Sequence, residues 1–313
     1  MKRCLFCYQS LAGNEVDYHP ACSRKIFGQS SPPLLPYTEE QMGELALKVV
    51  QSQVSVTGVQ AKISLHLENP EGTRNPKRFT IVGLWGGYIL KPPTGHYPQL
   101  PEVEDLVMHL ASLAKIEVVP HSLIRLQSCN LAYITKRIDR DATSKMHMED
   151  MCQLTERLTE DKYHGSYEQV AKAILKYSRN PGLDVVNFFE QVIFSFLTGN
   201  ADMHLKNFSL IKIPGIGHIL SPAYDMVSTA LVNPADDEDL ALNLNAKKKK
   251  IGRRDFIAAF NTGKLDQKQQ DNIFRKMENA KNAWIDFIGI SFLSEDFKGR
   301  LRNIIEQRFR RIN

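Results

Sequence analysis

Asp202, Asn207 and Asp225 are side chains whose types and spacing could do chemistry together. Asp202 lies five residues before Asn207, and Asp225 lies eighteen residues after Asn207, on either side of two short apolar runs. Phosphoryl transfer needs a carboxylate that orients the attacking hydroxyl, and hard oxygen ligands that hold Mg²⁺ against the phosphates. The three side chains supply those atoms, so the pattern indicates a phosphoryl-transfer site.

The order Asp, Asn, Asp is also the order in which protein kinases place their catalytic base and their two metal ligands. Asp and Asn are common in loops and caps, so the spacing alone leaves a structural role open. The flanking segments favour catalysis. Apolar residues recur at helical spacing from 185 to 197 and predict a buried helix that leads to Gly199. Residues 208–213 and 218–220 predict the two strands of a hairpin.

An upstream segment has the features of a nucleotide clamp. Residues 88–91, Tyr-Ile-Leu-Lys, predict a strand that ends in Lys91, and Glu102 or Glu104 lies at the start of the apolar-periodic helix predicted at 106–113. A strand lysine held by a helix glutamate is the expected contact to the α- and β-phosphates of ATP. The alternative is a solvated lysine at a strand end.

A small, hydroxyl-rich turn at 55–58 precedes that strand. It lies between apolar alternations and predicts a hairpin whose backbone amides could cap phosphates. Its single glycine, Gly58, makes this a weak signal of a phosphate-binding loop.

Six segments, in the same order along the chain, resemble the HipA family of bacterial toxin kinases. They are 55–62, 88–93, 136–140, 149–153, 199–209 and 222–225, and the resemblance extends from about residue 50 to about residue 260. It implies a two-lobed serine/threonine protein kinase that is usually paired with a DNA-binding antitoxin. Known targets in that family are aminoacyl-tRNA synthetases.

The resemblance also implies roles for individual residues. Asp202 would be the catalytic base, and Asn207 and Asp225 would hold Mg²⁺. ATP would be bound by Lys91, Gly58, Val59, Glu104 and His204, although a bystander role for His204 is open. Ser55 and Thr57 would lie in a loop that autophosphorylates. A phosphate there would add about two negative charges beside the phosphates of ATP and eject the loop, which would switch the kinase off.

Only about fifty residues precede Ser55. Full-length HipA-type toxins carry a further amino-terminal subdomain, so the chain looks like the shorter HipT type, in which that subdomain is a separate small antitoxin. The expected partners are therefore this small protein, a DNA-binding antitoxin and a protein substrate. The identity of the substrate, the phosphorylation state and the oligomeric state are left open.

Three cysteines and a histidine near the amino terminus have metal-ligand spacing. Cys4, Cys7, His19 and Cys22 form a Cys-x2-Cys-x11-His-x2-Cys arrangement. Two such pairs can close a tetrahedral zinc site, which would stabilise a segment too small to have its own core. The alternative is a set of reduced thiols.

These features together predict an α+β protein with a two-lobed, kinase-like fold. We expect a zinc-knuckle-like segment at 1–30, an amino-terminal lobe with the glycine loop and the ATP lysine at 37–135, and a helical carboxy-terminal lobe at 136–313. Amphipathic spacing predicts helices at 256–260, 272–277, 284–293 and 301–309 in the second lobe.

Composition limits the other possibilities. The chain has 42% hydrophobic residues, a net charge of +5 and five cysteines, and it contains no run of eighteen apolar residues and no signal peptide. We expect a cytoplasmic bacterial protein in a reducing compartment, with secretion into a host left open and no membrane contact. The basic run at 247–254 follows an acidic run at 236–239 and is expected to be a solvated face, so direct nucleic-acid binding is not expected.

Two other functions fit parts of the pattern. A small-molecule kinase on a related fold would keep the Asp, Asn and Asp set without modifying Ser55 or Thr57. A catalytically silent binding module would use the cysteine segment and the basic run, and would show salt-dependent binding without ATP turnover.

Overall fold

The computed structural model describes residues 2–52, 62–68, 77–82, 86–140 and 144–313. Ser55, Thr57, Gly58 and Val59 lie outside the described residues, so the predictions for them stay untested. The chain divides into two compact units. Unit 1 comprises Met1–Asp105, Val119–Arg140 and Ile290–Phe292, and unit 2 comprises Leu106–Val118, Asp141–Gly289 and Leu293–Asn313.

Unit 1 is built on an antiparallel sheet of five strands in the order β2-β1-β3-β5-β4. The strands are β1 (Ile63–Glu68), β2 (Arg78–Ile81), β3 (Tyr88–Lys91), β4 (His121–Arg125) and β5 (Leu131–Lys136), and the helices are α1 (Pro20–Phe27), α2 (Glu39–Ser52) and the first six residues of α3 (Leu100–Leu113). In the register, Leu90 lies opposite Ile134 and Lys91 opposite Tyr133. Inward-facing residues of adjacent strands therefore meet on one face, as side-chain alternation requires.

Aromatic rings fill the core of unit 1 beside the sheet. Phe27 at the end of α1 contacts Tyr18, Phe79 and Tyr88, with ring centroids 5.4, 5.9 and 6.2 Å away. Such pairs contribute beyond the area that they bury because edge-to-face contacts align the ring quadrupoles. The first thirty residues are thus attached to the sheet by apolar packing.

Unit 2 is mostly helical, with a small antiparallel sheet in the order β6-β7-β8. The strands are β6 (Met148–Asp150), β7 (Ser209–Ile213) and β8 (Gly217–Leu220), and the helices are α4 (Met151–Leu154), α5 (Tyr167–Tyr177), α6 (Pro181–Thr198), α7 (Thr229–Val232), α8 (Arg253–Thr262), α9 (Gln267–Gly289) and α10 (Glu295–Ile312). The predicted hairpin is confirmed, and the α+β class is confirmed for the described residues.

Helix α6 is the centre of unit 2. Every residue from Phe188 to Thr198 is buried, and the helix packs against α5, α9 and α10. A helix that is apolar on all faces is stable only inside a core, which explains why its sequence lacks the polar face of α9. The predicted helix at 185–197 is confirmed and begins four residues earlier, where Pro181 occupies the first turn.

The two helices predicted at 272–277 and 284–293 are one helix. Helix α9 runs for 23 residues and ends at Gly289, so the prediction was wrong in dividing it and in extending it to 293. Its buried residues recur at helical spacing through both segments, from Ile273 and Met277 to Trp284 and Ile288. The polar residues between them occupy the outer face and do not interrupt the helix.

Three of the six basic residues in the run at 247–254 form ion pairs with nearby acidic residues. Lys247 contacts Asp255 at 2.8 Å, Lys248 contacts Glu238 at 3.5 Å, and Lys249 contacts Asp237. The Lys249–Asp237 pair is exposed on both sides, and such a pair contributes little to stability. The three pairs do reduce the positive field of the run, in keeping with the expected solvated face. Among the described residues, no helix is both long and apolar enough to cross a membrane.

Asp239 is buried, unlike its neighbours Asp237 and Glu238. Its carboxylate accepts hydrogen bonds from the Ile251 backbone N–H at 2.9 Å and from Arg311 Nη1 at 3.0 Å, and it also contacts Arg308. Burial alone would raise the pKa of Asp239, but the hydrogen bond from Arg311 and the charges of both arginines hold it below its ordinary value. The carboxylate ties the loop before α8 to the last turns of α10.

We predict that Asp239→Asn lowers the free energy of unfolding by about 2–3 kcal/mol at pH 7, because two guanidinium groups lose their buried partner. The depressed pKa gives stability that is present above the ordinary Asp pKa of about 3.9 and is lost as the pH falls through the folded-state pKa. The free energies of unfolding of wild type and variant, measured with urea, should therefore become equal in acid. Asp286→Asn on the exposed face of α9 is the control. If the difference in the free energy of unfolding stayed constant as the pH was lowered, the stabilising role of the ionised Asp239 would be contradicted.

Gly199 ends α6 in the left-handed region, at φ 71°, and its N–H is bonded to the carbonyls of Ser195 and Phe196. A Cβ at this position would lie 2.9 Å from Ala230 Cβ and 3.0 Å from Ile304 Cγ2. Both the backbone conformation and the surrounding space therefore require glycine.

We predict that Gly199→Ala destabilises the protein by about 2–4 kcal/mol, from the left-handed conformation and from the steric clash. Gly182→Ala, in the first turn of the same helix with no atom within 4 Å of the added Cβ, should not destabilise it. Urea unfolding at pH 7 compares the two. Equal stability of both variants would show that residue 199 can adopt another backbone conformation at the end of α6.

Candidate functional site

Lys91 and Glu104 form a buried ion pair in unit 1. Lys91 Nζ lies 2.5 Å from Glu104 Oε1, and the two residues are 4% and 2% exposed. The ammonium also lies 5.4 Å from the centroid of the Tyr133 ring. The structure thus selects Glu104 over Glu102 as the partner and rules out a solvated Lys91. Burial of a lysine is costly unless its charge is paired, and this pair meets that condition.

A second buried polar group follows Glu104 in helix α3. Asp105 Oδ1 lies 2.7 Å from His121 Nδ1, and Asp105 Oδ2 accepts a hydrogen bond from the Tyr8 hydroxyl at 2.8 Å. All three residues are at most 5% exposed. Both carboxylate oxygens are therefore engaged, and the first turn of α3 is fixed to β4 and to the amino-terminal segment.

The predicted catalytic loop in unit 2 begins at the end of α6. Asn200 Oδ1 accepts the Asp202 backbone N–H at 3.0 Å, and Thr229 Oγ1 accepts the Ala201 N–H at 2.7 Å. The Tyr167 hydroxyl donates to the Met203 carbonyl at 3.0 Å. These side chains satisfy the loop backbone in the absence of regular secondary structure, so the loop is held in one conformation.

Asn207 is fixed within the same loop. Its Nδ2 donates to the Asp202 carbonyl at 2.9 Å, and the residue is only 5% exposed. This hydrogen bond uses the nitrogen of the amide and leaves Oδ1 as the atom that could bind a hard cation. The geometry fits the metal-ligand role predicted for Asn207.

Asp225 follows a tyrosine that is bonded to the loop. The Tyr224 hydroxyl donates to the Lys206 carbonyl at 3.0 Å and lies 2.5 Å from Ser209 Oγ. Asp225 itself has a positive φ of 60°, a conformation that Asp tolerates better than most residues. Tyr224 thereby brings the Asp225 segment to the loop that carries Asn207.

Both Asp202 and Asp225 affect the pKa of the buried His204. Burial lowers the pKa of this imidazole, with a further lowering from Lys162, while the charges of Asp202 and Asp225 act in the opposite direction. The net lowering leaves the ring neutral at pH 7. The residue is 6% exposed, and within the described part of the chain its Nδ1 has no hydrogen-bond partner. Its predicted contact with ATP stays a prediction.

Tyr163 contacts the predicted base and was not identified from the sequence. Its hydroxyl donates to Asp202 Oδ1 at 2.5 Å, and its ring packs edge-on against His204 with centroids 4.9 Å apart. Burial and the neighbouring Asp202 raise the pKa of Tyr163, so the phenol stays protonated. A lone tyrosine in the polar segment before α5 gives no periodic signal that could have revealed this contact.

Lys206 is a second contact that the sequence did not reveal. Its ammonium lies 2.7 Å from Asp150 Oδ2, and Asp150 also caps α4 by accepting the Gln153 N–H. Asp150 therefore has a structural role at the start of α4. It additionally links the first residues of α4 to the loop that carries Asn207.

The four predicted zinc ligands lie together in unit 1. The Sγ atoms of Cys4, Cys7 and Cys22 and the His19 ring nitrogen are all within 4.8 Å of one another. Cys4 and Cys7 lie in a turn closed by the bond from the Tyr8 N–H to the Cys4 carbonyl at 2.9 Å. His19 and Cys22 lie at the beginning of α1.

Two sequence relatives carry kinase names. A Haemophilus influenzae protein named "Putative kinase" is 31% identical over 214 residues, which cover 63% of this chain and 59% of that protein. "Putative kinase Y4dM" of Sinorhizobium fredii is 29% identical over 234 residues, which cover 71% of this chain and 55% of that protein. The chain thus spans between half and two thirds of the length of these curated relatives.

Two solved structures share the fold. HipA of Shewanella oneidensis MR-1, in a complex with HipB and operator DNA, matches with a TM-score of 0.69 and 21% identity over 89% of this chain and 71% of that chain. The Helicobacter pylori proinflammatory kinase CtkA matches with a TM-score of 0.52 and 17% identity, over 72% of this chain and 87% of that chain. At these identities the likeness concerns the fold alone.

A family model covers most of the chain, including α6, the loop after it and the Asp225 segment. The model of the HipA-like C-terminal domain matches residues 54–284. The chain belongs to the HipA-like C-terminal domain family.

Proposed function

We propose that this protein is an ATP- and Mg²⁺-dependent kinase that transfers the γ-phosphoryl group to a hydroxyl of a protein substrate. The observation that carries the proposal is the hydrogen bonding of the loop that contains Asp202 and Asn207. Asn207 Nδ2 donates to the Asp202 carbonyl, and Tyr224, directly before Asp225, donates to the Lys206 carbonyl of the same loop. One carboxylate and two oxygen ligands at one place are what phosphoryl transfer requires.

Asp202 is the proposed catalytic base. Its Oδ1 is occupied by the Tyr163 hydroxyl, and within the described residues Oδ2 has no hydrogen-bond partner, so Oδ2 is the atom that would accept the proton of a substrate hydroxyl. The side chain is partly exposed, which allows a substrate to reach it. Tyr163 acts as a positioning residue because its hydrogen bond restricts rotation of the carboxylate.

Asn207 Oδ1 and the Asp225 carboxylate are the proposed Mg²⁺ ligands. Their chemistry fits a hard cation, since both present oxygen atoms and the Asn207 nitrogen is already engaged. Bound Mg²⁺ would neutralise charge on the transferring phosphates.

Lys91 is the proposed cation for the α- and β-phosphates of ATP. The buried Glu104 carboxylate pairs with the Lys91 ammonium and fixes its position. Glu104 is therefore a positioning residue for Lys91. Gly58 and Val59 would add backbone amides to the same phosphates.

Family membership and the resemblance to HipT-type toxins support the biological role that we propose. We propose a serine/threonine kinase toxin with an aminoacyl-tRNA synthetase as substrate, and autophosphorylation of Ser55 or Thr57. The solved HipA relative is in a complex with HipB and DNA, which supports a DNA-binding antitoxin as one partner. The proposed second partner is a separate small antitoxin of the kind that accompanies HipT-type toxins.

The first test is intact-mass spectrometry of dephosphorylated protein after incubation with Mg·ATP. We expect wild type and the exposed control Asp286→Ala to gain phosphate on Ser55 or Thr57, and Asp202→Ala to gain none while still binding nucleotide. Asp225→Ala should lose Mg·ATP binding as well, because a metal ligand is removed.

Two outcomes would contradict the proposal. Phosphate gained by Asp202→Ala would show that another group is the base. A wild type that binds Mg·ATP, gains no phosphate and phosphorylates no protein in a bacterial extract would instead indicate a small-molecule kinase or a silent binding module.

A second prediction concerns Tyr163. Tyr163→Phe should lower kcat about tenfold, the factor that corresponds to about 1.4 kcal/mol for a hydrogen bond to a charged group, and should leave the KM for ATP unchanged. Tyr177→Phe, an exposed tyrosine in α5, should have no effect. Steady-state phosphorylation kinetics at varied ATP separate the two constants. A rise in KM with kcat unchanged would show that Tyr163 serves nucleotide binding.

A further inference from the structure

We propose that Cys4, Cys7, His19 and Cys22 bind a structural zinc ion, and that this site braces the Lys91–Glu104 pair through Tyr8 and Asp105. The first part concerns a metal site that is separate from catalysis. The second part rests on the proposed function, because it assigns Lys91 to nucleotide binding.

The distances between the donor atoms suit one tetrahedral ion. His19 Nδ1 lies 3.4 Å from Cys7 Sγ and 3.7 Å from Cys22 Sγ. With bonds of about 2.3 Å to sulfur and about 2.1 Å to nitrogen, tetrahedral zinc places a sulfur and a nitrogen ligand about 3.6 Å apart. Cys4 completes the set, with its Sγ inside the same 4.8 Å limit.

The histidine has the second contact that zinc-binding imidazoles need. His19 Nε2 lies 3.1 Å from the Ser10 carbonyl and 3.8 Å from Glu15 Oε2. A donor hydrogen on Nε2 leaves the Nδ1 lone pair for the metal. His19 occupies the N-cap position of α1 without capping it through its side chain. The ring is therefore directed at the three cysteines instead of at the helix.

Cys4, Cys7 and Cys22 differ from the other cysteines because their Sγ atoms lie close to one another and to the His19 ring. Cys129 and Cys152 lie outside it, and all five cysteines are free. Zinc binding would release the thiol protons and leave three thiolates and a neutral imidazole around a divalent cation, a Cys₃His site with a net charge of −1. No oxidant or other reactant is needed.

The metal-binding segment is attached to strand β4. The Leu5 carbonyl accepts hydrogen bonds from the Leu123 N–H at 3.3 Å and from Ser122 Oγ at 3.1 Å. Arg125 at the end of β4 forms an ion pair with Asp17 at 3.0 Å. These contacts attach the metal-binding segment to β4, which is an edge strand of the sheet.

Tyr8 connects the ligands to helix α3. It directly follows Cys7, has a left-handed backbone at φ 64°, and is 1% exposed. A non-glycine residue keeps this conformation only where its surroundings impose it, and two ligands three residues apart on one ion would do so. Its hydroxyl reaches Asp105 Oδ2, and Asp105 adjoins Glu104, the partner of Lys91.

The metal is tested first, without reference to activity. Elemental analysis of purified wild type should give one zinc per chain, and Co²⁺ exchanged into the protein should give the absorption of a tetrahedral thiolate site. Cys22→Ser should lose both signals, whereas Cys129→Ser should keep both. A wild type that carries no zinc and gives no thiolate–Co²⁺ absorption would overturn the site, and this result does not depend on whether Cys22→Ser folds.

The brace is tested with Tyr8→Phe, which removes only the hydroxyl. We expect this variant to retain one zinc per chain and to bind a non-hydrolysable ATP analogue with Mg²⁺ about tenfold more weakly by calorimetry, whereas Tyr177→Phe binds it as wild type does. Unchanged affinity in Tyr8→Phe would overturn the brace. Failure of wild type to bind the analogue, with zinc present, would contradict the proposed function and leave the metal site standing.

Discussion

Burial of α6 from Phe188 to Thr198 is the constraint on which the rest of unit 2 depends. A helix with apolar residues on every face has one stable place, inside the helical core, and its carboxyl end is thereby fixed. Gly199 then turns the chain in a conformation that other residues cannot adopt without strain. The loop that follows therefore leaves the core at a defined point and in a defined direction, and the positions of Asp202 and Asn207 derive from hydrophobic packing.

Hydrogen bonds from polar side chains stabilise the loop that hydrophobic packing of α6 positions. Around the loop, the side chains of Thr229, Tyr167 and Tyr224 each bond to a backbone group, so the irregular chain has partners comparable to those of a helix. In unit 1 the same principle holds for charged groups, because the buried Lys91 and Asp105 each have a charged or ring partner. A polar group that is buried with its partners in place is rigid, whereas one without them is costly. The candidate residues in each unit are thus preorganised before any ligand arrives.

The sequence predicted the features that depend on local pattern. The buried helix, the hairpin and the pairing of Lys91 with a glutamate of α3 follow from periodicity and residue type, and the structure has all three. Contacts that depend on tertiary placement were missed. Tyr163 lies 39 residues from Asp202, and Tyr8 lies 97 residues from Asp105, with no periodic pattern to join either pair. The division of α9 was wrong because its polar outer face was taken as a break between two helices.

The left-handed backbone of Asp225 restricts the evolution of this position in two ways at once. Glycine, asparagine and aspartate are the residues that adopt such a conformation readily, so the backbone narrows twenty choices to about three. Of these, only aspartate brings a negative charge. If Asp225 is the metal ligand that we propose, few substitutions satisfy both the backbone and the charge, and a deep mutational scan of the family should show aspartate retained at this position.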